Sequence, residues 1–273
     1  VLIVKFFKMI KLIKILSLLL LFSCSDSEMQ NEINSLNNDI LSNDVNLMKS
    51  IFEKFDGVTT SSDENQFYVN SSGLPQHNMM KGITNWQQQI PINQEYNAEN
   101  NWSIPIFPSF SKEPLSTKSN LMKGALAIAV NGVPIFNPLN NRGEDANLIG
   151  ELDEWGGHCG KADDYHYHIP PTHLISQVGQ GNPIAYALDG FPVYGETTKT
   201  LDENLGVLND DGTYHYHTIK NYPYFIANMK GNVTLSGNSP ENQITPQPSA
   251  KAIRQALQPV SYTHLTLPTN REV

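Results

Sequence analysis

The tetrapeptide Tyr-His-Tyr-His occurs twice, as Tyr165-His166-Tyr167-His168 and Tyr214-His215-Tyr216-His217, 49 residues apart, and holds four of the chain's eight histidines. Alternate side chains on a β-strand share a face, so each His-x-His pair presents both imidazoles to one side. Two such pairs brought together supply four nitrogen ligands to one ion, or two to each of two ions. Imidazole suits zinc, copper, iron and nickel; four neutral nitrogens without thiolate lean toward copper when planar and zinc when tetrahedral. The expected metal ligands are therefore His166, His168, His215 and His217. His158, in Gly156-Gly157-His158-Cys159-Gly160, is a candidate fifth, because flanking glycines let the backbone approach closely. Counting back seven residues from the second motif places Val207 where the first motif has His158, so one half alone carries that histidine. Five ligands imply a structural or storage site. Three ligands on one ion leave an open position that activates water, as in a metal-dependent hydrolase or oxidase. The bland alternative is a sheet with its tyrosines packed inward and its histidines solvated or bonded to carbonyls. Either way the tyrosines read as core, since Tyr favours strands and buries well when its hydroxyl has a partner.

Other polar residues carry weaker signals. Asp189 could serve as a base or ligand, but it heads an Asp-Gly turn and Asn131 holds the matching place, so the turn role is preferred. Asp163 and Asp164 precede one motif, and Asp210 and Asp211 the other. They cap or turn the chain into the strands, or accept the ring N–H of a ligating histidine. His173 is a weaker candidate and His77 reads as incidental. Cys159 is read as buried, a ligand, or half of an intermolecular bridge. No phosphate loop, Gly-x-Ser-x-Gly elbow or His-Glu-x-x-His helix occurs.

The elements that must position these residues form a repeat. Ala125–Val130, Asn131-Gly132 and Val133–Phe136 reappear as Pro183–Leu188, Asp189-Gly190 and Phe191–Tyr194, offset by 58. Leu152-Asp153-Glu154 and Leu201-Asp202-Glu203 share the offset of 49 with the tetrapeptides. Two apolar runs around Asn-Gly or Asp-Gly predict hairpins. The expected fold is mainly β, a sandwich or partly closed barrel over 63–235, built from two pseudo-symmetric hairpin-plus-strand halves at about 121–173 and 180–231. The His-x-His strands would then face each other across the pseudo-axis. Residues 24–62 read as a polar tether with one marginal helix, and 236–259 as a C-terminal segment with a helix near Ala250–Leu257.

The ends differ from the domain. Lys11 and Lys14, the apolar run Ile15–Phe22 and Ser23-Cys24 read as an export signal over 1–23, too short to span a bilayer. Leu21-Phe22-Ser23-Cys24 resembles a lipobox, with Cys24 the lipidated residue, and Ser25-Asp26-Ser27-Glu28 resembles an acidic surface-export tag. The expected location is the bacterial cell envelope, as an outer-membrane lipoprotein, periplasmic or surface-exposed. Removing the signal moves the net charge from −9 to −13. Such acidity repels phosphate backbones, which excludes nucleic acid as a partner and leaves the membrane anchor, a metal ion and a glycan or surface ligand. In a non-catalytic adhesion or carbohydrate-binding module, Trp86, Trp102 and Trp155 would present stacking faces. Residues 260–273, His264 included, read as translated sequencing-adapter sequence outside the fold.

Several dense motifs between Leu121 and Gly231 resemble the YHYH domain family: Val130–Ile135, Gly156–Gly160, both tetrapeptides, Tyr186–Pro192 and Tyr222-Pro223-Tyr224. The resemblance implies an exported or surface protein and no particular reaction. It also implies extra cysteines around the second acidic turn and after the second motif. Here those places read Asp202-Glu203-Asn204 and Ile226-Ala227-Asn228, so any disulfide of relatives is absent.

Overall fold

The computed structural model describes residues 45–85, 90–160 and 164–244. The signal segment, Cys24, Trp86, Asp163, the expected helix at Ala250–Leu257 and the tail with His264 lie outside the described residues. The mainly β expectation holds.

The first elements are α1 (residues 45–52) and β1 (Thr59–Ser62), followed by β2 (Gln66–Asn70) and β3 (Trp102–Pro105). These strands form an antiparallel sheet in the order β1-β2-β3. The domain thus begins before residue 63, inside the expected tether. Met48, Ile51, Phe52, Phe55 and Val58 are buried, and their helical spacing turns one apolar face inward. The Phe52 ring stacks on Phe67 of β2 and on Tyr186, which belongs to the next sheet. The helix therefore packs between two sheets, and that burial outweighs the polar composition around it.

The larger sheet contains β5 (Ala125–Ala129), β6 (Pro134–Phe136), β7 (Gly157–Cys159), β8 (Tyr165–Tyr167), β9 (Ala185–Ala187), β10 (Pro192–Tyr194), β11 (Gly206–Leu208) and β12 (Tyr214–His217). Phe110–Ser116, β4, pairs with β13, Asn228–Gly231, outside it, and Leu235–Ser236 pairs with Ser239–Pro240. The order of the eight strands is β11-β12-β10-β9-β5-β6-β8-β7, an open sheet rather than a barrel. From one edge inward the pairings run antiparallel (β7 with β8), parallel (β8 with β6) and antiparallel (β6 with β5). From the other edge β11, β12, β10 and β9 repeat those senses in the same order, and antiparallel β5 and β9 join the two sets at the middle. The central strands Ala-Leu-Ala-Ile-Ala and Ala-Tyr-Ala are buried at every residue, as strands covered on both faces must be. Both hairpin turns form, with Gly132 and Gly190 at φ +78° and +94°, a region glycine alone enters without strain.

This order separates the two tetrapeptide strands. Four strands lie between β8 and β12. At roughly 4.8 Å per strand spacing, that places them on the order of 20–25 Å apart along the sheet. The histidine pairs do not face each other, because the halves meet through β5 and β9 rather than through the motif strands.

The tyrosines explain why the motif alternates as it does. Tyr165 donates to Asp153 Oδ2 at 2.8 Å, and Tyr214 donates to both Asp202 oxygens at 3.0 and 3.1 Å. Each aspartate also accepts backbone N–H groups of its own turn, Asp153 from Trp155 and Gly157, Asp202 from Asn204 and Gly206. The second tyrosine of each motif reaches a hairpin turn: Tyr167 Oη takes the Asn131 amide at 3.1 Å, and Tyr216 donates to Asp189 Oδ2 at 2.6 Å. Asp189 keeps the expected turn bond from Phe191 N–H, and it also takes Gly231 N–H from β13, a reach no turn signal reveals. With the tyrosines tied down on one face, the histidines must occupy the other.

The approach of Tyr165 to β7 leaves no room for a side chain at Gly157. A Cβ there would meet the Tyr165 hydroxyl and lie 2.6 Å from Tyr165 Cζ and 2.8 Å from the His166 carbonyl oxygen. Gly157→Ala should therefore lower unfolding free energy by about 1–3 kcal/mol in a urea titration. An unchanged midpoint would mean that the tyrosine clamp is loose.

Candidate metal centre

Three imidazoles converge at the β7–β8 edge. His158 on β7 sits directly opposite His166 on β8, and His168 follows one alternation later, its N–H bonded to the Gly156 carbonyl at 2.9 Å. His168 Nε2 lies 3.1 Å from His166 Nε2 and 3.0 Å from His158 Nε2. All three residues are buried and offer nitrogens within 4.8 Å of one another. Phe136 of β6 stacks on His166, with ring centroids 4.0 Å apart, and closes one side.

The other ring nitrogens fix where the protons sit. Nδ1 of His158 faces the Glu151 carbonyl at 2.9 Å, Nδ1 of His166 the Asp164 carbonyl at 3.1 Å, and Nδ1 of His168 the Asn137 carbonyl at 2.5 Å. A carbonyl oxygen only accepts, so each Nδ1 must carry the proton. The three Nε2 atoms then present lone pairs toward one another. Two of the three rings resist protonation. Burial, then the neighbouring His166, pushes the His158 pKa down to about 4, and burial, then His166 and His158, holds His168 well below its ordinary value.

A cation would resolve this arrangement. Metal–nitrogen bonds of about 2.0–2.1 Å place neighbouring ligand nitrogens roughly 2.9–3.4 Å apart for angles between square and tetrahedral. The observed 3.0 and 3.1 Å fall inside that span. Ligating histidines characteristically donate their second ring N–H to a carbonyl or carboxylate, which fixes the tautomer. The three carbonyls here are themselves anchored. Asn137 is held by amide bonds to the Thr117 and Leu121 carbonyls, and Glu151 by an ion pair with Arg142. The Asp164 carbonyl also accepts Gly160 N–H, and the Asp164 carboxylate lies 3.6 Å from His166 Nδ1.

The remaining expected residues fall elsewhere. His215 and His217 stand together on β12, their ring centroids 4.9 Å apart, at the far side of the sheet. The four motif histidines therefore do not share one focus, for the topological reason given above. Cys159 is fully buried on β7 one residue from His158, which sends its side chain to the tyrosine face and away from the imidazoles. Asp211 accepts the Thr213 N–H and hydroxyl, a turn role. Trp102 is buried against Tyr96 and presents no stacking face.

Sequence reasoning passed over His77 and undervalued His173. Both pack with Trp155 on the tyrosine side of β8: His77 stacks on the indole at 4.8 Å, His173 meets it edge-on at 4.8 Å, and His77 Nε2 bonds Tyr167 Oη at 2.7 Å. These residues lie 78 to 96 positions apart or on separate loops, so no local spacing marks them.

A family model described as YHYH protein matches residues 101–210, a span holding His158, His166 and His168, which supports the resemblance drawn from the sequence. No curated protein and no solved structure matches the chain.

The histidine environment fixes a pH response for the metal-free protein. His158, His173 and His215 are each lowered from 6.5 to about 4, chiefly by burial. A group with a depressed folded pKa contributes stability above its unfolded pKa and loses it as pH falls toward the folded one. Asp189, raised by burial, works the other way as one group against several. In chelator, the melting temperature should fall as pH drops from 6.5 to 4; a flat profile over that window would contradict the buried neutral assignment.

Proposed function

We propose that the chain is an exported metal-binding protein whose centre is His158, His166 and His168. The observation that supports this most directly is the trio of facing Nε2 lone pairs, each made obligatory by a carbonyl behind the ring. Neutral imidazoles and no thiolate favour zinc or copper. Three protein nitrogens leave a coordination position for water or substrate, the pattern of a catalytic rather than a closed structural site. The reaction class this favours is metal-activated hydrolysis with zinc, or oxidation with copper.

The cellular reading rests on the sequence. A lipid on Cys24 would tether the domain to the outer membrane, and the acidic surface argues against nucleic acid as a partner. No helix among the described residues is long and apolar enough to cross a membrane.

Metal analysis of the purified chain tests the proposal. One equivalent of zinc or copper should bind and raise the melting temperature, by about 2.7 kcal/mol of stability at a hundredfold excess over Kd. His166→Ala and His168→Ala should each abolish that equivalent. Retention of the tightest equivalent in both variants, or a chain that takes up no metal, would overturn it; weaker binding at other histidines would not.

A second reading has its own support. A cavity of about 230 Å³ is lined by Gln76, His77, Asn131, Trp155, His173 and Gln177, among others. Trp155 Nε1 and His173 Nε2 are buried without a protein partner. Burial lowers the pKa of both His77 and His173, so both are neutral at pH 7 and the cavity favours an uncharged polar ligand such as a monosaccharide. Titration with neutral sugars should quench Trp155 fluorescence and Trp155→Ala should remove binding, with the metal equivalent retained. A sugar response unchanged by Trp155→Ala would dismiss this reading alone.

A further inference from the structure

The strands at the other edge of the sheet rebuild most of the metal centre, and the match can be followed atom by atom. In the first set β7 opposes β8 with His158 across from His166; in the second, β11 opposes β12 with Val207 across from His215. His168 Nδ1 faces the Asn137 carbonyl, and His217 Nδ1 faces the Gly195 carbonyl at 2.7 Å. Phe136, just before Asn137, packs on His166 and His168; Tyr194, just before Gly195, packs on His215 and His217. Ring centroids of both histidine pairs are 4.9 Å apart. The second site resembles the first, but it lacks the third imidazole and the carbonyl behind its first ring.

One atom there lacks an explanation within the protein. The Gly195 carbonyl obliges His217 Nδ1 to carry the ring proton, leaving Nε2 a lone pair. His217 is 8% exposed, and its Nε2 is buried with no hydrogen-bond partner. An unsatisfied buried acceptor is costly, and its satisfaction requires a donor or a cation. His215 stands beside it, half-buried, so the pair is reached from solvent.

We infer that His215 and His217 form a second, weaker transition-metal site, with two protein nitrogens and the remaining positions open to water or an exchanging ligand. Copper is the ion it fits best, since the Irving–Williams order gives copper(II) the greatest hold on a small nitrogen set. Three features keep the site weaker than the first. Val207 supplies no nitrogen. Asn209 Nδ2 lies 3.3 Å from His215 Nδ1, so the metal-free ring carries its proton on Nε2, and that proton must move to Nδ1 with a turn of the Asn209 amide when an ion binds. Lys199, bonded to Asn209 at 3.4 Å, adds a nearby positive charge, whereas Asp211 adds a negative one. Two sites of one design, one tight and one exchangeable, would let the protein hold one ion while passing another. The inference shares its coordination chemistry with the proposed function but rests on different residues.

Copper(II) titration of the purified chain, followed by electron paramagnetic resonance and equilibrium dialysis, tests it. The expected result is two equivalents, the second held at least tenfold more weakly. His215→Ala/His217→Ala should remove the weaker equivalent and leave the first. Val207→His, at a half-exposed strand position opposite His215, should tighten the second equivalent at least tenfold and add a nitrogen to its spectrum. A single equivalent unaffected by His215→Ala/His217→Ala overturns this inference and spares the first site. A second equivalent that survives the double substitution, or that Val207→His leaves unchanged, also overturns it. Loss of the His166- and His168-dependent equivalent alone would instead overturn the proposed function.

Discussion

Three backbone carbonyls, those of Glu151, Asp164 and Asn137, decide the chemistry of this protein. Each holds a ring proton on Nδ1, and together they leave three lone pairs crowded into one buried space. The ring protons of all three imidazoles are committed to those carbonyls, so the rings offer one another no donor. Burial makes protonation of His158 and His168 unfavourable as well. The rest of the fold serves this constraint: β7 and β8 bring His158 and His166 across from each other, and the loops carrying Glu151 and Asn137 are pinned by ion-pair and amide bonds.

The tyrosines and histidines of each motif do opposite jobs on opposite faces. Tyr165, Tyr167, Tyr214 and Tyr216 tie their strands to an acidic turn and a hairpin turn, so neither strand can slip by a residue without losing two hydroxyl hydrogen bonds. Register is set from the tyrosine side, and ligand geometry follows on the histidine side. The aspartates of the two Leu-Asp-Glu turns belong to this locking system.

Much of this was legible in the sequence. The hairpins at Asn131-Gly132 and Asp189-Gly190, the buried tyrosines and the single-sided His158 all follow from alternation, turn chemistry and repeat spacing. The mismatch at Val207 was visible by counting alone, and β-pairing places it opposite His215. What stayed hidden depended on how the halves join. Nothing local announces that β5 pairs with β9, and that one pairing sends the two motif strands to opposite sides of the sheet. The apolar face of residues 45–58 was diluted by surrounding Asn, Ser and Asp, so the packed helix read as a marginal one within a tether. His77, His173 and Trp155 meet only in space, and the carbonyl partners of the imidazoles carry no side-chain signature.

The central claim concerns protons, and nitrogen-15 NMR of the imidazole rings observes them directly. In metal-free protein at neutral pH, His158, His166 and His168 should all appear as Nδ1–H tautomers, and adding one equivalent of zinc should shift all three Nε2 resonances together. An Nε2–H tautomer at any of the three, or Nε2 resonances that ignore the metal, would contradict the account.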